Sequence, residues 1–278
     1  RCEEQGIELI PFGDDRYPPL LKETSDPPLI LYVRGSLIES DQAAVAIVGS
    51  RHPSLYGREQ AKRFAERLSE MGLTLVSGFA RGIDREAHEA ALGVRYGRTI
   101  AVLGSGLDVI YPKEHQALYE EIAERGVLMS EFALGTPPLA ENFPKRNRII
   151  AGLSLGVLVV EAHSRSGSLI TAHLAAEEGR EVFALPGRVD QLGSRGTHRL
   201  LKEGAALAES PEEVFEALGP QLLPLISNPA ELALSDEEKS LLGILASPGL
   251  TADETARRGG IAVASAMALL IQLELKGM

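Results

Sequence analysis

The chain has 278 residues, 44% of them apolar and 24% charged, with 28 Gly and 16 Pro. That balance excludes disordered and fibrous classes, and no stretch approaches the roughly 18 to 20 uninterrupted apolar residues of a membrane-spanning helix. The net charge of −11 excludes a protein coated with basic residues, but the charge is uneven: residues 1–142 carry 15 Lys/Arg against 22 Asp/Glu, residues 143–205 carry 9 against 6, and residues 206–278 carry 4 against 11. An anion site is therefore expected to draw on residues near Phe143 to Lys202. Cys2 is the single cysteine, which leaves neither an internal disulfide nor a thiolate metal cluster. The N-terminus has no signal-peptide pattern, so a cytoplasmic location is expected. Because the chain opens at Arg1 and stops at Met278 just after a helical pattern, one or both natural ends are expected to lie beyond it.

The first 40 residues contain YPPLLKETSDPPLILYVRG, whose Pro18, Pro19, Pro27 and Pro28 prevent long helices and predict an extended arm lying on the main domain. Residues 41–219 then alternate short apolar runs with helix-like segments. The runs are VAIVGS from Val45, LTLVSG from Leu73, TIAVLGSG from Thr99, GVLMSE from Gly126, GVLVVEA from Gly156 and EVFALPG from Glu181. Such runs lack polar alternation and read as strands buried on both faces, that is, a mostly parallel sheet flanked by helices. Tyr56 to Met71 and Ser168 to Glu178 carry apolar residues at helical spacing and fit as crossovers. The phrase GPQLLPLISNPAE predicts a linker over 220–233. Residues 234–278 follow with a capping-box start at Ser235 and Glu238 and three helical patterns, the outline of a small helix-turn-helix or winged-helix-like domain.

Successive strands end in Gly and Ser: Gly49, Ser50 and Arg51 after the first, Ser77 and Gly78 after the second, Gly104 to Gly106 after the third. At the carboxyl ends of a parallel sheet, glycine lets backbone N–H groups approach an anion and the next helix adds its positive end. Each glycine could alone be a tight turn; the series favours a phosphate-binding cleft. No G-x-G-x-x-G or G-x-x-x-x-G-K-[ST] accompanies them, so a nucleotide-driven motor is not expected. Cations do: Arg51, Arg81 in SGFARGID and Lys113 in DVIYPKEH. The next corner, FPKRNRIIAGLS, sets Lys145, Arg146 and Arg148 around Asn147 beside Phe143, just ahead of an apolar helix or turn. Charge for phosphates next to a ring on which a base can stack suits single-stranded nucleic acid. Ser166, Gly167 and Ser168 precede a helix and can cap it or bind an anion.

Signs of catalysis are weak. Asp84, Asp108, Glu131 and Glu161 lie near strand ends, where the aspartates read equally as caps and the glutamates as partners of nearby arginines. The six histidines show no metal-ligand spacing, and no G-x-S-x-G elbow occurs. The residues favour binding without turnover, with neither cofactor nor metal.

These phrases, in order from YPPLL through VAIVGSR, SGFARGID, AVLGSGLDVIYP, MSEFALG, FPKRNRIIAGLS and VVEAHSRSGSLITA to FALPG, resemble the DNA-processing protein A (DprA/Smf) family from Tyr17 to about Leu218. The resemblance implies an extended Rossmann-like domain that binds and protects incoming single-stranded DNA, assists loading of the RecA recombinase in natural transformation, and forms a homodimer. It carries DNA contacts onto Arg51, Lys113, Phe143, Arg146, Asn147 and Arg148, and further to Gly78 and Gly167. His115 stands where family members commonly show Asn. A nucleotide-phosphoribohydrolase-type enzyme is the competing expectation, since similar folds bind nucleoside monophosphates at the same strand ends, although the G-G-x-G-T-x-x-E loop is replaced by SGSLITAHLA. A third possibility is a protein-binding scaffold that uses the acidic 206–278 segment, whose charge also makes it a poor reader of duplex DNA.

Overall fold

Apolar residues that alternate between two cores explain why the predicted strands lack polar alternation. In β3 (Ala44–Val48), Ala44, Ala46 and Val48 face one core while Val45 and Ile47 face the other, so every position is buried. The same two-sided burial holds for β4 (Thr74–Ser77), β5 (Thr99–Val102), β6 (Val127–Ser130) and β7 (Gly156–Val159). With β1 (Ile7–Pro11), β2 (Ile30–Gly35), β8 (Glu181–Ala184) and β9 (Ala206–Leu207) they form one sheet in the order β1-β2-β6-β5-β4-β3-β7-β8-β9. The computed structural model describes residues 2–226, 241 and 252–259.

One face of the sheet is covered by α1 (Pro19–Lys22), α5 (Asn142–Gly152), α6 (Gly167–Glu177) and α7 (Arg195–Lys202), through Leu21, Ile149, Ala172 and Leu200. The other face carries α2 (Leu55–Glu70), α3 (Ile83–Gly93) and α8 (Pro211–Ile226), through Phe64, Leu68, Ala87, Val214 and Leu218, while α4 (Gln116–Arg125) packs Leu118, Tyr119 and Ile122 against β5 and β6. All pairings from β6 to β9 are parallel. The chain leaves β3 towards β4, β5 and β6, then returns through α5 to place β7 on the other side of β3. That reversal opens a crevice at the carboxyl ends of β3 and β7, the place where open parallel sheets bind ligands.

The N-terminal segment does more than lie on the domain. β1 and β2 pair with each other and β2 joins β6, both antiparallel, with Tyr32 opposite Ser130 and Arg34 opposite Leu128. The four prolines all precede the strand segment Ile30–Gly35 rather than interrupt it, so its N–H groups remain available to the ladder. Nor do the prolines after Leu218 end structure there: α8 continues through Pro220 and Pro224 to Ile226, with Val214, Leu218 and Leu222 buried along it. The chain divides by its contacts into Arg1–Leu225 and Ile226–Met278. Of the second unit, the helix α9 (Ala252–Gly259) is described, with Thr255 and Ala256 buried, as is the buried Leu241; the remaining expected helices lie outside the described residues.

Candidate nucleic-acid interface

Segments following five neighbouring strands meet in one cleft of about 620 Å³. β3 contributes Gly49 and Arg51, β4 Ala80 and Asp84, β5 Tyr111, β6 the start of α5, and β7 the start of α6. FPKRNR is not a loop before a helix but the first turns of α5 itself. Phe143, Arg146, Asn147 and Ile150, spaced i, i+3, i+4 and i+7, therefore share one face and all line the cleft.

Arg51 is exposed and carries its guanidinium 5.1 Å from the centroid of the Phe143 ring. Phe143 in turn packs against the end of β5: a Cβ at Gly104 would stand 2.9 Å from its Cδ1, so only glycine lets the ring approach this closely. Tyr111 tilts against Phe143 with ring centroids 6.0 Å apart. The cleft thus offers a cation and two rings, an arrangement suited to a phosphate and a stacked base.

Arg146 has a different environment. It is buried, donates to the carbonyls of Gly78 and Val102 at the ends of β4 and β5, and gives its Nε–H to Asn147 Oδ1 at 3.2 Å. Asp84, also buried, accepts from the N–H groups of Gly78 (3.1 Å) and Ala80 (3.3 Å). A Cβ on Gly78 would be 2.5 Å from Arg146 Nη1 and 2.7 Å from Asp84 Oδ2, so this corner closes only around glycine. Burial pushes the Arg146 pKa down to about 10, against the attraction of Asp84. It pushes the Asp84 carboxyl up, against Arg146 and the two N–H donors. Together the pair satisfies backbone groups that the strand ends leave over.

On the β7 side, Ser166, Gly167 and Ser168 line the cleft where α6 begins. Ser166 Oγ and Ser168 Oγ are 2.8 Å apart, and Ser166 makes no side-chain cap bond, so the helix start presents its N–H groups to the cleft. Asn147 donates to Gly167 O at 3.3 Å, tying α5 to this turn.

Other sequence-expected residues stand elsewhere. Ser50 is buried in the β3 turn, its N–H on Glu161 O at 2.7 Å. Arg81 adjoins the cleft, lining a small pocket with Arg51, Gly104, Tyr111 and Phe143, but is paired with Glu114 at 2.5 Å and lies over Tyr111, 5.9 Å from the ring centroid. Lys113 and Lys145 are exposed, outside the cleft wall. Arg148 faces away from the cleft, bonded to Glu131 and, at 3.1 Å, to Asp26. Glu131 thus has the arginine partner expected of it. Glu161 does not: its carboxylate accepts from the backbone N–H and hydroxyl of Ser54, which caps α2 by accepting from Gly57 N at 3.1 Å. Tyr111 lies outside the residues that the sequence marks, with the aromatic of DVIYP after a Gly-rich strand end as the available signal, while Asp84, expected as a cap or a catalytic carboxylate, takes the N–H groups of the Gly78–Ala80 turn.

Two family models cover most of the chain: DNA recombination-mediator protein A over residues 8–219, and the DprA winged helix domain over 227–278. Protein Smf of Escherichia coli is 46% identical over 99% of this chain and 75% of its own length. The DNA processing protein DprA of Streptococcus pneumoniae is 48% identical over 77% and 75%, and its X-ray structure superposes with a TM-score of 0.73 over 76% of this chain and 74% of that one at 45% identity. The structure of DNA processing protein A from Helicobacter pylori, described for its single-stranded DNA binding mode, matches at 31% identity with a TM-score of 0.69 over 77% and 96%. The fold is therefore a Rossmann-like α/β domain followed by a winged-helix domain, and the chain belongs to the DNA recombination-mediator protein A (DprA/Smf) family.

Proposed function

We propose that the cleft binds single-stranded DNA without sequence readout, protects it, and holds it for loading of the RecA recombinase during natural transformation, in a homodimer. The observation that carries this reading is the exposed Arg51 laid over Phe143 beside Tyr111 and the open N-terminus of α6: a phosphate-sized charge next to a base-sized platform. Single-strand binding by the Helicobacter pylori relative supports it. Gly49, Arg51, Phe143, Asn147 and Ser166 to Ser168 contact the strand directly, whereas Arg146 holds the corner beneath them.

The reading involves no turnover. Glu161, the carboxylate that base release would need, is occupied in capping α2 through Ser54. Fluorescence anisotropy with oligo-dT at low salt is expected to show binding that weakens as salt rises, that exceeds binding to duplex, and that Arg51→Glu largely removes. Equal affinity for duplex, or release of free base from AMP or CMP, would overturn it.

A further inference from the structure

The carboxyl rim of the sheet carries more positive charge than the cleft uses. One exposed cation comes from the segment after each of five strands: Lys145 after β6, Lys113 after β5, Arg51 after β3, Arg165 after β7 and Arg195 after β8. None of the five forms an ion pair among the described residues. Away from the rim the cations are mixed: Arg16, Arg67, Arg85, Arg125 and Arg199 are each held by a carboxylate, whereas exposed Arg58, Arg63 and Lys202 form no ion pair among the described residues, so it is the placement of the five at strand ends that sets them apart. At the rim itself, Glu114 is taken by Arg81, Asp190 by Arg188, and Asp84 lies buried beside Arg146.

Arg165 and Arg195 lie outside the cleft wall, but the backbone brings their segments together. Ala162 N–H donates to Gly193 O at 2.8 Å, and Gly196 N–H donates to Ala162 O at 2.7 Å. A Cβ on Gly196 would sit 2.6 Å from Ala162 O and 2.8 Å from His163 O, so the start of α7 is pressed against the β7–α6 turn. Arg195 is thereby held next to the turn that bears Arg165 and, two residues on, the cleft residues Gly167 and Ser168. Exposed Ile170 lines the cleft on this side and exposed Leu192 adjoins Arg195, apolar surface for bases between the charges.

We infer that Arg165 and Arg195 form an additional phosphate track, along which the single strand continues from the Arg51–Phe143 cleft across the ends of β7 and β8. The inference rests on the single-strand reading of the cleft. From β6 to β8 the rim spans five strand spacings, about 24 Å at roughly 4.8 Å each, enough for several nucleotides of extended strand. The track sets the polynucleotide's path and the length it needs for full affinity; the cleft alone holds a shorter piece.

The test uses the full chain and oligo-dT of graded length, with affinity measured against salt. Single strands give a slope of log K against log salt of about −0.7 per neutralised phosphate, so Arg165→Ala with Arg195→Ala should flatten the wild-type slope by about 1.4. The double variant should bind the shortest oligomers as the wild type does and lose the gain that longer ones bring. Lys202→Ala, an exposed cation in the last turn of α7, should change neither. A wild-type slope and length dependence in the double variant overturns the track while leaving the cleft in place. Failure of the wild type to bind any oligomer overturns the single-strand reading and the track together.

Discussion

Arg51 and Phe143, 92 positions apart in sequence, form a stacked pair across the mouth of the cleft, guanidinium 5.1 Å from ring centroid. The ring orients the cation and remains half-exposed itself, so a base can add to the same stack while a phosphate meets the charge. Phe143→Ala should therefore weaken oligo-dT binding by about 1 to 3 kcal/mol, the worth of one stacked base, whereas Phe143→Tyr should retain most of it. Arg51→Ala should also flatten the salt dependence, which Phe143→Ala should leave nearly unchanged. Anisotropy titrations at several salt concentrations separate the two effects. Identical salt slopes for wild type and Arg51→Ala would mean that Arg51 meets no phosphate.

Arg146 predicts a different phenotype although it stands three residues from Phe143. Its removal leaves Asp84 as an uncompensated buried carboxylate and two strand-end carbonyls without donors. Arg146→Met should cost about 3 to 5 kcal/mol of stability, and pairing it with Asp84→Asn should recover part of that loss. Chemical denaturation of the single and double variants measures this. Additive losses would show that the two charges do not compensate each other.

Arg148 anchors the N-terminal segment rather than the ligand. It bonds to Glu131 and Asp26, and burial holds the Glu131 carboxyl above its ordinary range despite that partner. Arg148→Ala should lower stability by about 1 to 3 kcal/mol and leave oligo-dT affinity and salt slope unchanged. A reduced slope would return Arg148 to the DNA-contacting set.

Arg148 also shows where the sequence stopped being legible. Three cations within four residues look equivalent in FPKRNR until the segment is known to be helical. At about 100° per residue, Lys145, Arg146 and Arg148 then point to solvent, to the strand ends and to the N-terminal segment. The i, i+3, i+4, i+7 spacing of Phe143, Arg146, Asn147 and Ile150 was present in the sequence but was masked by the density of charge. The five strands β3 to β7 were legible because two-sided burial forces continuous apolar runs, β8 by its apolar VFAL stretch although Glu181 is exposed, and the Gly–Ser strand ends marked the cleft. The β1–β2 hairpin was not: its prolines advertise irregularity, and the pairing of β2 with β6 joins residues about a hundred positions apart, which no local pattern carries. The Glu161–Ser54 cap was equally long-range.

His88 gives the fold a measurable pH dependence. Its ring is fully buried in α3, with Nδ1 2.7 Å from Thr99 Oγ1, and burial, reinforced by His115 and Arg146, pushes its pKa down to about 3. His115, edge-on to Phe79 at 5.2 Å between ring centroids, is also shifted down by burial. In the unfolded chain a histidine titrates near 6.5. Between pH 6.5 and 3 the unfolded state therefore binds a proton that the folded His88 refuses, and stability must fall as pH falls, by up to about 1.4 kcal/mol per pH unit for this residue. Asp84 acts in the opposite sense, because a carboxyl with a raised folded-state pKa is protonated more readily in the fold. The contribution of His88 is thus isolated by difference. His88→Gln should be less stable than the wild type at pH 7.5, and its thermal midpoint should decline less steeply from pH 6.5 to 4.5. Parallel declines in the two proteins would show that His88 protonation is not coupled to unfolding.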